Sequence, residues 1–284
     1  MNFDFNEEQT MIMDGIARYI REEYDFDRRR SIIESDSAYS DDVWRQFCEL
    51  GWLSIPFDES YGGFGGHADD LAGVMLELGK GLIIEPYMST VVVFGSLLNA
   101  SNNDSLKEQL IPRIINGQYK GSFAYAEEQS RFEISDVKTS AQKCGDGYKL
   151  NGTKIAVIDA KESDGLIVTA RTGGSQYGAE GISLFLVDTS AEGVAVSSYN
   201  TMDSHSSSTI NLENVFVTEA NLIVDEGEGF RHIESCLPQI LLCLSAEALG
   251  IMEVLNKLTV EYSKTCLLYT SPSPRDRQKS RMPS

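Results

Sequence analysis

Residues 121–137, GSFAYAEEQSRFEISDV, mark the point where the chain changes its hydrophobic period. Before them apolar residues recur at helical spacing. For roughly 90 residues after them the period is two, and such a switch separates two structural units. The short apolar run 122–125 leads into a polar, acidic loop with Glu127, Glu128, Gln129 and Ser130, which closes at Ser135-Asp136. The chain returns as 151–160, NGTKIAVIDA. These two stretches are the expected walls of a site.

Upstream, residues 1–120 read as an all-helical unit. Asn6 with Gln9 three residues later forms a capping-box pattern, and Ile12, Ile16, Tyr19 and Ile20 follow on one face. Asp41 or Asp42 is the expected cap of a second helix, with Trp44, Phe47 and Cys48 inward and Gly51 as its stop. Further helices are expected over 69–80, 89–98 and 105–115. The glycines of 61–66, YGGFGG, lack the spacing and the following Lys-Ser/Thr of a phosphate loop, so they read as a turn.

Downstream, residues 121–226 read as short strands separated by Gly, Asn and Asp. Strands are expected at 138–143, 148–150, 165–171, 181–188, 194–196, 209–212 and 215–217, with turns at 144–147 and at Asn151-Gly152. That spacing predicts an antiparallel β-sandwich or barrel. After Gly227-Glu228-Gly229 a single helix runs to Thr265. Its stripe of Leu241, Leu244, Ala248, Ile251, Leu255, Leu258 and Tyr262 alternates steps of three and four, the seam of a helix in a bundle. The fold class is therefore α+β multidomain: an N-terminal all-α domain, a middle β-domain, and over 227–265 the start of a C-terminal helical bundle. Residues 266–284 change character to Ser, Pro and Arg and read as a disordered or non-native tail.

The chain of 284 residues carries a net charge of −19. That argues against nucleic acid, whose phosphates need clustered Lys and Arg. The uninterrupted apolar runs, such as 91–94 and 182–187, fall far short of the roughly 20 residues that span a membrane, and the N-terminus shows no secretory pattern. Five scattered cysteines without a CxxC fit free thiols in a reducing, cytoplasmic setting. His67, His205 and His232 are too far apart in sequence to suggest a metal site.

Helical unit, β-domain and long bundle helix in this order resemble the acyl-CoA dehydrogenase family. The resemblance rests on NFDFNEEQ at 2–9, ELGWLSIPFDESYGG at 49–63, EPYMST at 85–90, the 121–137 stretch, NGTK at 151–154, GISLFLVD at 181–188, STINLENVFV at 208–217 and AEALGIMEVLNKLTVEYSKT at 246–265. EPYMST and RFEISDV are most similar to small subunits of pimeloyl-CoA dehydrogenase-like enzymes. The resemblance implies FAD held between the β-domain and the bundle, and α,β-desaturation of an acyl-CoA thioester. It also implies a homo- or hetero-oligomer of related subunits and an electron-acceptor flavoprotein as partner.

Carried over residue by residue, Phe123 stands at the family's loop tyrosine, Ala126 at its threonine, Glu127 at its glutamate and Glu128 at its proline. Ser135 keeps the serine of its Ser-Asp. On the second wall Ala156, Val157 and Ile158 replace an aromatic, an isoleucine and a hydroxyl residue. The expected cofactor contacts are thus Phe123, Ala126, Glu127, Ser135, Val157 and Ile158, with two hydroxyls and a stacking ring missing. Val157 and Ile158 read equally as strand core. Glu127 and Glu128 read as solvated or capping rather than catalytic. Asp203 and His205 fall on a loop near the expected acyl-CoA entrance and are candidates for contact with the CoA part. The family base lies beyond Thr265, so no catalytic residue is assigned, and the 284 residues alone are expected to be inactive. Two alternatives accompany this reading: a non-catalytic structural subunit of a hetero-oligomer, and an acyl-CoA oxidase of the same fold.

Overall fold

The computed structural model describes residues 5–35 and 39–265, so the reading of 266–284 lies outside the described residues. Helix α1 (Glu7–Glu23) opens with the expected box: Asn6 Oδ1 accepts from the Gln9 N–H and Gln9 Oε1 from the Asn6 N–H. A helix absent from the sequence reading follows, α2 (Phe26–Ile33), capped by Asp25. In α3 (Asp41–Glu49) the cap is Ser40 rather than Asp41 or Asp42. Those carboxylates sit in the first turn instead, where they face the positive end of the helix dipole.

Around α3 the aromatic side chains of Tyr19, Phe47, Trp52 and Tyr87 form one buried cluster, with Phe47 and Trp52 ring centroids 4.9 Å apart. The glycine-rich stretch folds tightly over 55–57, with Gly66 N–H on the Ile55 carbonyl; a methyl on Gly63 would collide with the Phe57 backbone. It is a close-packed turn. Helix α4 (Ala68–Lys80) follows. The next helix is a π-helical segment, Met88–Phe94, continuing into α5 (Gly95–Asn99); α6 (Asp104–Ile115) ends the unit.

The β-domain is one curled seven-stranded sheet: β1 (Gly121–Ala124), β2 (Ser140–Cys144), β3 (Gly147–Ile158), β4 (Gly165–Arg171), β5 (Ile182–Asp188), β6 (Val194–Asn200) and β7 (Ser206–Thr218). The sheet is mixed, where a purely antiparallel one was expected. Strand β4 takes antiparallel β5 along one edge; on the other it takes parallel β1 at its start and parallel β2 at Arg171. Alternation of side chains reports strand faces but not partners, so the parallel pairings left no mark in the period.

The predicted turn at Asn151-Gly152 is not a turn. Strand β3 runs through it and pairs with β7 across a bulge. Asn151 Oδ1 there accepts the Asn214 N–H at 2.8 Å, which lets β7 continue past its own expected break.

Helix α7 (Gly229–Thr265) leaves the sheet and lies across α4. Glycines set this contact: a methyl on Gly79 would strike the Glu247 carbonyl, and one on Gly250 the Leu76 carbonyl. By length and mean hydropathy α7 would suffice to cross a membrane, a property that uninterrupted runs did not reveal. Here one face covers the helical domain and the opposite face exposes Leu241, Leu249, Met252, Leu255 and Leu258.

Candidate active site

Strand β1 is laid against the end of β3. Ser122 Oγ donates to the Ile158 carbonyl at 2.8 Å, and the Ile155 N–H donates to the Ala126 carbonyl at 2.9 Å. Residues 122–126 and 155–158 therefore form one shelf. A bulge between Lys154 and Val157, with Ala156 at φ +52°, sets which side chains face out. Val157 is buried in the sheet's core, while Ile158 is 54% exposed. The alternation that left both residues open between core and contact thus divides them.

The loop after β1 is anchored by a buried ion pair. Lys154 Nζ is 2.7 Å from Glu127 Oε1 and also donates to Thr169 Oγ1 at 2.7 Å and to the Tyr125 carbonyl at 3.3 Å. Glu127 further accepts from the backbone N–H groups of Lys138 and Thr139 and from Gln129 Nε2. Burial works against its charge, but Lys154 and these donors outweigh it and hold the carboxyl down to about 2. Burial pulls Lys154 down to about 8 against the attraction of Glu127. The pair is charged at neutral pH. Glu127 is therefore not solvated, although it does cap two loop N–H groups; Glu128 is exposed. The available signal was Lys154 in NGTK, but a partner 27 residues away leaves no local trace.

Phe123 is half-buried and stacks on Tyr125 with centroids 5.2 Å apart. Ser135 lies apart from this shelf. Its hydroxyl donates to Glu133 Oε1 and its carbonyl accepts from Arg171.

Beside the shelf a cavity of about 300 Å³ opens where helical domain, sheet and α7 meet. Met75, Leu78 and Met88 line it from the helical domain, Ile158 from β3, and Leu244 and Ile251 from α7. Of the six expected contacts, Ile158 lines the cavity; Phe123 and Ala126 lie on the shelf beside it. Asp203 and His205 line it too.

Its polar residues were largely missed by the sequence reading: Arg29, Glu85, Asp159, Ser206 and Glu247. Asp159, at φ +56°, accepts from Ser89 Oγ at 2.7 Å, and its other oxygen stands 3.9 Å from His205 Nδ1. Burial lowers the His205 pKa, but Asp159, Asp203 and Glu247 raise it by more. Burial pushes Glu85, 2% exposed, up to about 7. Arg29 ties the β6–β7 loop to the helical domain through the carbonyls of Leu82 (2.7 Å) and Asp203 (2.9 Å). Glu247 was legible as a charge between Leu244 and Ile251 in an otherwise apolar stripe.

Such a cavity, mostly apolar with a few convergent polar groups, suits an extended organic ligand. Family models bear on which ligand. The model of the acyl-CoA dehydrogenase N-terminal domain matches residues 6–118, and that of the middle domain matches residues 122–215. The chain is 29% identical over 269 residues to the probable acyl-CoA dehydrogenase YngJ of Bacillus subtilis (strain 168), covering 93% of this chain and 70% of the relative. Among solved structures it is similar to a chain described with the electron transferring flavoprotein of Acidaminococcus fermentans, at 28% identity and TM-score 0.84, covering 94% of this chain and 70% of that one. It is also similar to the FAD complex of PigA, at 24% identity and TM-score 0.86, covering 94% and 70%. This chain belongs to the acyl-CoA dehydrogenase family, and it carries the family's N-terminal and middle domains.

Proposed function

We propose that the chain is part of a FAD-dependent acyl-CoA dehydrogenase subunit whose cavity receives the acyl chain of a CoA thioester for α,β-desaturation. The observation that carries this is the position of the cavity. It opens beside the 122–126 and 155–158 shelf, where the two domains that the family models match meet α7.

The shelf fits a planar ring. Ala126 is half-buried and Ala156 is exposed, both are small, and Tyr125 and Ile158 are exposed apolar groups at its edges. Tyr125, Ala126, Ala156 and Ile158 would hold FAD by van der Waals contact, with the Glu127–Lys154 pair fixing the loop behind them. When bound, FAD would supply the two-electron chemistry that accepts hydride from the substrate's β carbon. Ile158, Met88 and Leu244 would pack against the acyl chain, and the chain in place would displace water there, which strengthens any hydrogen bond made inside. No described residue is assigned as the base. The chain spans about 70% of the length of YngJ; the base is proposed to come from beyond Thr265, and the 284 residues alone are proposed to be inactive.

Related subunits are proposed to cover the exposed face of α7, and an electron-acceptor flavoprotein to reoxidise the cofactor. The described cysteines Cys48, Cys144, Cys236 and Cys243 are free thiols, which supports a reducing, cytoplasmic setting. The test is purification with flavin. Stoichiometric FAD in the full-length protein supports the reading. A colourless protein that takes up no added FAD overturns it and favours the structural-subunit alternative, whose motive is the missing hydroxyls at Ala126 and Ile158.

A further inference from the structure

Four buried side-chain polar atoms have no hydrogen-bond partner among the described residues, and three of them, Glu85 Oε2, His205 Nδ1 and Ser206 Oγ, belong to residues lining the junction cavity. Glu85 and Ser206 are each 2% exposed. Native chains keep few such atoms, because burial without a partner is costly. Their convergence on one cavity points to a guest that completes them.

The charge of the lining narrows that guest. Glu85, Asp159, Asp203 and Glu247 face His205 and Arg29. Arg29 directs its Nε and Nη2 to the carbonyls of Leu82 and Asp203 rather than to a lining carboxylate, and His205 is held near Asp159. Carboxylate oxygen thus remains for the guest, while Met75, Leu78, Met88 and Leu244 offer an apolar path beside it. Resting on the thioester reading above, we propose that the acyl group of the substrate bears an ammonium, which meets Glu85 while its methylene stem lies along the apolar wall. Glu85 Oε1 accepts the Ser40 N–H, so an acyl chain ending in a methyl would instead bury that end against the partnerless Oε2. Burial outweighs the Tyr24 hydroxyl and the backbone N–H groups around the Glu85 carboxyl and pushes it up to about 7; a cation beside it offsets that penalty.

The test compares two thioesters of equal chain length, 4-aminobutyryl-CoA and pentanoyl-CoA, by titration calorimetry on the full-length protein. Their thioester-free counterparts, 4-aminobutanamide and pentanamide, are compared by saturation-transfer NMR. The expected result is binding of 4-aminobutyryl-CoA about tenfold or more tighter than pentanoyl-CoA, the scale of a charge-assisted hydrogen bond in a dry site. Glu85→Gln should collapse that preference to within about threefold. Glu247→Gln, on the opposite wall, should reduce it and serves as the second variant should Glu85→Gln not fold. Equal or tighter binding of pentanoyl-CoA overturns the proposal and leaves the thioester reading intact. If neither thioester binds but 4-aminobutanamide still outcompetes pentanamide, the cation site stands and the thioester reading falls. If neither pair discriminates, the proposal is overturned.

Discussion

Replacing Lys154 with Met tests the anchor behind the shelf. The Lys154 ammonium is completely buried and holds Glu127, Thr169 and the Tyr125 carbonyl together. Met fills much of the same volume without the charge. It leaves Glu127 buried with the N–H groups of Lys138 and Thr139 and Gln129 Nε2 as its remaining donors. An ion pair broken from one side in this way costs about 3–5 kcal/mol, because the remaining charge is stranded.

The double variant Glu127→Gln/Lys154→Met removes both charges and should recover most of that loss, to within about 1–2 kcal/mol of wild type. The pH dependence supplies a second readout. Glu127 is held at about 2, below its ordinary 4.5. Its contribution is therefore present above the ordinary value and is lost as pH falls from 4.5 towards 2. By linkage the loss amounts to about 3 kcal/mol for a buried carboxylate. Urea unfolding at pH 7 and across the acid limb, on wild type, both single variants and the double variant, measures all of this. The reasoning is refuted if Lys154→Met costs under about 1 kcal/mol, or if the double variant is as unstable as the sum of the singles.

Gly250→Ala should force α7 away from the Leu76 carbonyl and cost about 2–3 kcal/mol, read as a fall in melting temperature; an unchanged melt counts against the close helix contact. Arg29→Ala should leave global stability within about 1 kcal/mol, because the side chain is partly solvated. It should instead raise amide hydrogen exchange over 201–205, which loses its tie to Leu82. Asp159→Asn should lower the His205 pKa, since Asp159 is a chief cause of its elevation, as followed by imidazole NMR titration. In wild type that elevation contributes stability present below the ordinary histidine value and lost as pH rises through the elevated one, so the variant's stability should vary less with pH across that window.

The parts of the fold that obey a local rule were legible. Asn6 and Gln9 cap α1 as their spacing indicates, and the switch of period at 121 falls at the first residue of β1. Helix α2 was not legible: its eight residues carry three arginines, and of them only Ile32 is buried. The π-helical segment at Met88–Phe94 was read as ordinary helix, because its five-residue hydrogen bonding leaves the apolar pattern intact. At the site, the shelf was found through its sequence wording. The partners of Glu127 and Asp159 were not, since Lys154 and Ser89 meet them only through tertiary packing. Ile158 and Val157 were separated by the bulge at Ala156, a single residue in left-handed conformation that no alternation pattern announces.

The glycine contacts between α4 and α7 decide how far the cavity can be adapted. At Gly79 and Gly250 the two helices meet backbone to backbone, so their separation is already minimal and owes nothing to the size of the residues between them. Substitutions at Leu78, Leu244 or Ile251 can deepen the cavity, shorten it or change its polarity. They leave the gap between the helical axes as it is. A lineage diversifying this scaffold would therefore explore guests of different length and head-group chemistry long before guests of different girth.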